Sequence, residues 1–166
     1  MTPRYNCFLF ILMLISGFSV SQTVMKIPAF SYVDTKGIIF SDKNIKGEGM
    51  ILYFNPLCDI CRDEMKYILK NIEFFKTKQI VLISSSDLKD IQKFVEDFNL
   101  KSYKNFRILH DNEDTFHNKL NAKGYPSLYI FNNKKQIIAS FEGETKFNII
   151  KESFASMKDK KKKNKE

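Results

Sequence analysis

Tyr53–Met65, YFNPLCDICRDEM, is the stretch whose reading decides the fold. It sets Cys58 and Cys61 between an apolar run and a segment with helical patterning. Met50–Phe54 (MILYF) is continuously apolar and of strand length, as a central buried strand requires. Pro56 ends it, because proline has no N–H to give to a ladder. From Asp59 the period changes, and Met65, Ile68, Leu69, Ile72 and Phe75 recur at helical spacing. A C-x-x-C at such a strand-to-helix junction puts its first sulfur at a helix N-terminus, where N–H groups and the dipole favour negative charge. The thiolate of Cys58 is thereby favoured as the attacking sulfur. Cys61, one turn further in, is placed to attack a mixed disulfide and release the partner.

The cysteine count sharpens that reading. Phe8–Ile15 (FLFILMLI) is an unbroken apolar run preceded by Arg4 and followed by Ser16, Gly17 and Ser-Val-Ser at 19–21. This is the pattern of a secretory signal over residues 1–21, with cleavage after Ser21; the run is shorter than the roughly 20 residues of a spanning helix. An uncleaved signal would leave the protein tethered to the membrane. Cys7 departs with the signal, so the mature chain keeps two cysteines in one motif. A four-residue ring closes almost no loop entropy, so a structural staple is a poor reading. A structural zinc site needs two more ligands, and His110 and His117 lack zinc-finger spacing.

The formal net charge is +8 over 166 residues. The tail Lys158–Glu166 (KDKKKKNKE) carries six lysines against two acids, and Arg4 leaves with the signal. About +3 remains for residues 22–157, too little to support nucleic-acid binding. The tail reads as a solvated, disordered end, with contact to an anionic membrane surface as the alternative. The hydrophobic content of 43% is that of a globular domain, and the length suits a single one.

Outward from the motif, Ile27–Phe40 reads as two short extended pieces around a turn at Thr35-Lys36-Gly37. Ile80–Ile83 is a second buried strand, and Leu88, Ile91, Val95 and Phe98 mark a second amphipathic helix after candidate N-caps at Ser84–Asp87. Phe106–Leu109 is a third strand and Glu113–Leu120 a short helix. Ser127–Phe131 and Gln136–Phe141 are joined by the turn-favouring Asn132–Lys135, and Phe147, Ile150, Phe154 and Met157 mark a last helix. This order predicts a central sheet covered by helices. Gly124-Tyr125-Pro126 precedes one of the strands. A proline there can be cis, and the Tyr125 backbone can pair with an incoming extended peptide.

The carriers CDICRDE (Cys58–Glu64) and GYP (Gly124–Pro126), with this element order, resemble the TlpA/ResA-type thiol–disulfide oxidoreductases of the thioredoxin superfamily, from about Ile27 to Met157. The resemblance implies an α/β thioredoxin-like fold: a central mixed β-sheet flanked by helices, with an N-terminal β-hairpin extension. It implies Cys58 as nucleophile, Cys61 as resolving thiol forming the redox disulfide with it, and Pro126 as a cis-proline facing them. Tyr125 and Pro126 would bind substrate. Glu64 stands where such relatives often carry an acid beside the thiols, able to take or give a proton. The chain departs from the pattern at Leu57, where Trp is usual, and at Asp59-Ile60, where many members have Pro. Asp59 puts a carboxylate beside the nucleophile, opposing its thiolate while favouring the helix start.

The resemblance further implies an exported, periplasmic reductase serving cytochrome c maturation or the repair of exported proteins. Its partners would be an exported protein with a disulfide or thiol pair and a membrane electron donor; no cofactor or metal is expected, and a monomer is. Two rivals remain. A peroxiredoxin would want Thr or Ser three residues before its cysteine, where Cys58 has Asn55 and Cys61 has Cys58. A copper module would pair the two thiolates with His110 or His117, but relatives of that kind space their cysteines three apart.

Overall fold

The computed structural model describes residues 25–163, with side chains described as far as Met157. The signal segment read over 1–21, Cys7 within it and the last three residues of the tail lie outside the described residues.

Seven strands form one sheet in the order β2-β1-β5-β4-β3-β6-β7. They are β1 (Ser31–Asp34), β2 (Ile39–Ser41), β3 (Gly49–Tyr53), β4 (Gln79–Ser84), β5 (Phe106–His110), β6 (Ser127–Phe131) and β7 (Ile137–Glu142). β3, β4 and β5 are parallel neighbours, with Leu52 opposite Leu82 and Leu82 opposite Ile108. β6 and β7 add antiparallel strands on one side. On the other side the expected N-terminal hairpin, β1–β2, extends the sheet beyond β5. Its turn is closed by Asp34, whose Oδ1 accepts the Lys36 and Ile38 N–H groups at 2.8 and 2.9 Å.

All five residues of β3 are buried, as the unbroken apolar run requires of a strand covered on both faces. Alternate residues feed two cores. Met50, Leu52 and Phe54 pack with Met65, Ile68, Phe94 and Phe154 from α1 (Asp59–Lys70), α3 (Leu88–Asp97) and α5 (Phe147–Lys163). Ile51 and Tyr53 pack on the other face with Phe30, Tyr32, Val81, Phe131 and Phe116, the last from α4 (Phe116–Leu120). Gly49 opens β3 because a Cβ there would run into the Gln79 carbonyl and the Phe131 ring.

The helical spacing predicts one helix from Asp59 to Phe75, but the structure breaks it at Asn71. The Asn71 side chain donates to the Tyr67 carbonyl at 2.9 Å, competing with the helical ladder. A separate turn, α2 (Ile72–Phe75), follows. The short helix expected from Glu113 starts only at Phe116, because Asp111 caps its first turn from further upstream. At the C-terminus the α5 backbone stays helical through Lys163, beyond the boundary read from the sequence at Met157.

Candidate active site

The chain leaves β3 through Phe54 and turns at Asn55-Pro56-Leu57. Asn55 makes this turn: its Oδ1 accepts the Leu57 N–H at 2.9 Å and its carbonyl accepts the Cys58 N–H at 3.2 Å. Cys58 is then the N-cap residue of α1 in extended backbone, and its carbonyl accepts the first helical bond, from Arg62 N–H at 3.0 Å. The sulfur thus stands at the helix N-terminus, as the spacing predicts. Arg62 ties this end of α1 to α3, with Nη2 2.9 Å from Asp97 Oδ2 and its guanidinium 5.0 Å from the Phe98 ring centre.

The two thiols are both free and sit in unlike surroundings. Cys58 is half-buried and Cys61 is fully buried. Burial pushes the Cys61 thiol up to about 12; a hydrogen bond from the Asn55 backbone opposes this, while Cys58 and the nearby Glu64 add to it. One helical turn on, Glu64 is only 1% exposed, which decides its chemistry. Burial pushes its carboxyl up to about 7, against the pull of one hydrogen bond from the Thr145 backbone and with a small push from Glu144. Oε2 accepts the Thr145 N–H at 2.8 Å, while Oε1 is buried without a hydrogen-bond partner.

Thr145 reaches Glu64 through the loop between β7 and α5, and the same loop holds the other half of the site. Gly143 N–H donates to the Pro126 carbonyl at 2.8 Å. Ser127 Oγ donates to the Gly124 carbonyl at 2.7 Å. The Tyr125–Pro126 peptide is cis, as GYP before a strand suggests. The β3–β6 register puts Tyr53 opposite Ser127, so Pro126 lies level with Phe54 at the cysteine end of the sheet. The five candidate residues are therefore brought to one end of the sheet, Cys58, Cys61 and Glu64 on α1 and Tyr125 and Pro126 on the loop entering β6. Leu57 and Ile60, which flank the cysteines in sequence, are exposed, as is Tyr125.

Thr145, Tyr53, Asp114 and Ser85 escape a reading of the sequence. Thr145 contributes only a backbone N–H, which leaves no signal. Tyr53 lies beneath Tyr125, the ring centres 4.9 Å apart, and its hydroxyl meets Asp114, Tyr125 and Ser85. A tyrosine at the end of a buried apolar strand was the available signal, since its hydroxyl must find a partner. His110 closes β5 and His117 stands beside Asp114. Among the described residues, no group of three or more His, Cys, Asp or Glu side chains is placed to hold a metal.

A buried thiol and a half-buried thiol on a helix start, at the same end of this sheet as a cis-proline loop, mark a thiol–disulfide oxidoreductase of the thioredoxin superfamily. Residues 24–140 match the AhpC/TSA family, and the chain belongs to that family. No curated protein matches the chain significantly. Among solved structures it is similar to the thioredoxin domain of a thiol–disulfide oxidoreductase from Bacteroides vulgatus, at TM-score 0.64 and 26% identity, covering 76% of this chain and 94% of that one. A thiol:disulfide interchange protein from Bacteroides sp. matches at TM-score 0.60 and 26% identity, covering 71% and 80%. A secreted Mycobacterium tuberculosis disulfide oxidoreductase homologous to E. coli DsbE matches at TM-score 0.61 and 18% identity, covering 70% and 85%; at that identity it speaks for the fold alone.

Proposed function

We propose that the protein is an exported reductase of protein disulfides, with Cys58 as nucleophile, Cys61 as resolving thiol and Glu64 as its proton acceptor. The observation that carries this is the inequality of the thiols: one half-buried at a helix start, one buried beside a buried carboxyl. The Cys58 thiolate attacks one sulfur of the substrate disulfide. A Cys58–substrate bond forms, the substrate S–S bond breaks and the first substrate thiolate leaves. The buried Cys61 thiol then needs a base, and the Glu64 carboxylate takes its proton. The Cys61 thiolate attacks Cys58 Sγ, closing the Cys58–Cys61 disulfide and releasing the second substrate thiolate. The substrate gains two electrons and the protein loses them, so an external dithiol must recharge the pair. Tyr125 and Pro126 present the backbone edge along which the substrate lies.

Export rests on the signal pattern of residues 1–21. A place in cytochrome c maturation, a periplasmic setting and a membrane electron donor follow from the resemblance to TlpA/ResA-type proteins. A monomer with no cofactor suffices for this chemistry. Thiol peroxidase chemistry fits the site less well, because the Asn55 carboxamide oxygen at the position of the expected hydroxyl is occupied by the Leu57 N–H.

Cys58→Ser should abolish disulfide exchange, while Cys61→Ser should accumulate mixed disulfides visible on non-reducing gels and by mass. Exchange activity retained in Cys58→Ser would overturn the assignment.

A further inference from the structure

Behind the proline loop, on the sheet face opposite α1, four loops meet at one hydroxyl. Tyr53 Oη donates to Asp114 Oδ1 at 2.7 Å. It also lies 3.1 Å from Tyr125 Oη and 3.3 Å from Ser85 Oγ, and Ser85 Oγ is 3.5 Å from Tyr125 Oη. Tyr53 ends β3, Ser85 follows β4, Asp114 lies between β5 and α4, and Tyr125 precedes Pro126. Tyr53 is buried and cannot move without repacking against Phe116, whose ring centre is 5.8 Å away.

Asp114 is itself held in place at some cost. It is a non-glycine residue at φ 50, a left-handed conformation that aspartate tolerates better than most. The fully buried Asp111 fixes the loop around it, accepting the Thr115 and Phe116 N–H groups at 2.8 and 2.7 Å and the Thr115 hydroxyl at 3.2 Å. Asp114 N–H returns to the Asp111 carbonyl at 3.0 Å. The partly solvated Asp114 carboxylate is thus carried on a hydrogen-bonded loop to a buried phenol, and that phenol in turn touches the residue before Pro126.

We propose that Tyr53 and Asp114 are positioning residues, whose hydroxyl–carboxylate pair fixes Tyr125 and with it the backbone edge that receives a protein substrate. This deepens the reductase reading and rests on it. A polypeptide lying along residues 124–126 needs that edge ordered in advance. A small disulfide that meets only Cys58 does not.

The test uses the mature chain, Tyr53→Phe and Asp114→Asn, with three readouts: amide hydrogen exchange, steady-state reduction of insulin, and reaction with 5,5′-dithiobis(2-nitrobenzoate). In Tyr53→Phe, exchange should accelerate across residues 123–127 and stay unchanged across 58–64. KM for insulin should rise roughly tenfold, the equivalent of one lost hydrogen bond to a charged group, with kcat and the small-disulfide rate within about twofold. Asp114→Asn should move the same readouts in the same direction, and it decides the matter if Tyr53→Phe fails to fold. Unchanged exchange over 123–127 would overturn the proposal. So would a small-disulfide rate that falls in step with insulin, since the pair would then act on the thiols or on the whole fold. A wild-type chain that reduces neither probe would instead overturn the reductase reading, with the exchange comparison still deciding the positioning role.

Discussion

The two faces of the sheet at its cysteine end treat buried polar groups in opposite ways. On the α1 face, Glu64 is buried with one oxygen bonded to Thr145 N–H and the other without a partner. On the α4 face, the buried Asp111 and Tyr53 spread several hydrogen bonds over backbone and side chains, one of them to the exposed Asp114 carboxylate. The consequences for charge also differ. Burial holds the Glu64 carboxyl well above its ordinary range, whereas the hydrogen bond from Tyr53 holds the Asp114 carboxyl below its own. On the proposed mechanism, the group that exchanges a proton during turnover is left part-satisfied, while the groups that hold the loop are hydrogen-bonded on several sides.

The largest expected effect comes from relieving the α1 face. In Glu64→Gln the resolving step at pH 7 should slow roughly 10²-fold, the scale of a lost proton acceptor, measured as accumulation and decay of the mixed disulfide. The same variant should change the pH dependence of stability. Glu64 is raised from 4.5 to about 7 in the folded protein, so its protonated form is favoured by folding. The contribution of Glu64 to stability is therefore greatest below about pH 4.5, and on the order of 3 kcal/mol of it is lost as pH rises from there through 7. Glu64→Gln should lack that loss, which urea unfolding at pH 5 and pH 8 would read as a difference between the two proteins. Equal slopes would mean that the carboxyl is not buried as described.

A smaller effect is expected on the other face. Asp111→Ala strands the Thr115 and Phe116 N–H groups and should cost about 2–3 kcal/mol in urea unfolding, with faster exchange at Asp114 and Thr115. Smallest of all is a surface control on α1. The Lys66–Asp63 pair, at 2.7 Å, is largely solvated, and Lys66→Ala should change stability by less than about 0.5 kcal/mol. If the control matched Asp111→Ala, the cost of Asp111→Ala would not come from its buried hydrogen bonds.

Much of this architecture is legible in local sequence. MILYF, followed by Pro56 and a helical period, places the strand, the turn and Cys58 at the helix start. Thr35–Gly37 and Asn132–Lys135 announce the two hairpins. GYP marks the loop whose peptide is cis. Helix periodicity carries through Asn71 because a side-chain hydrogen bond to Tyr67, not a change of pattern, ends α1. The depth of Glu64 is equally invisible, since the side chains of its neighbours Asp63 and Lys66 are largely solvated and its one hydrogen-bond donor, Thr145 N–H, lies 81 residues away. The Tyr53–Asp114 contact joins residues 61 apart in sequence and depends on the β3–β4–β5 order, which no local signal specifies.

On the proposed mechanism the two thiols are unequal, one made to attack and the other held back until a mixed disulfide forms. The most direct test is the rate of iodoacetamide labelling of each cysteine in the reduced protein between pH 6 and 10, read by peptide mass. Labelling should appear on Cys58 at neutral pH, with Cys61 essentially protected across the range. Labelling of Cys61 at a rate equal to or above that of Cys58 would contradict the account.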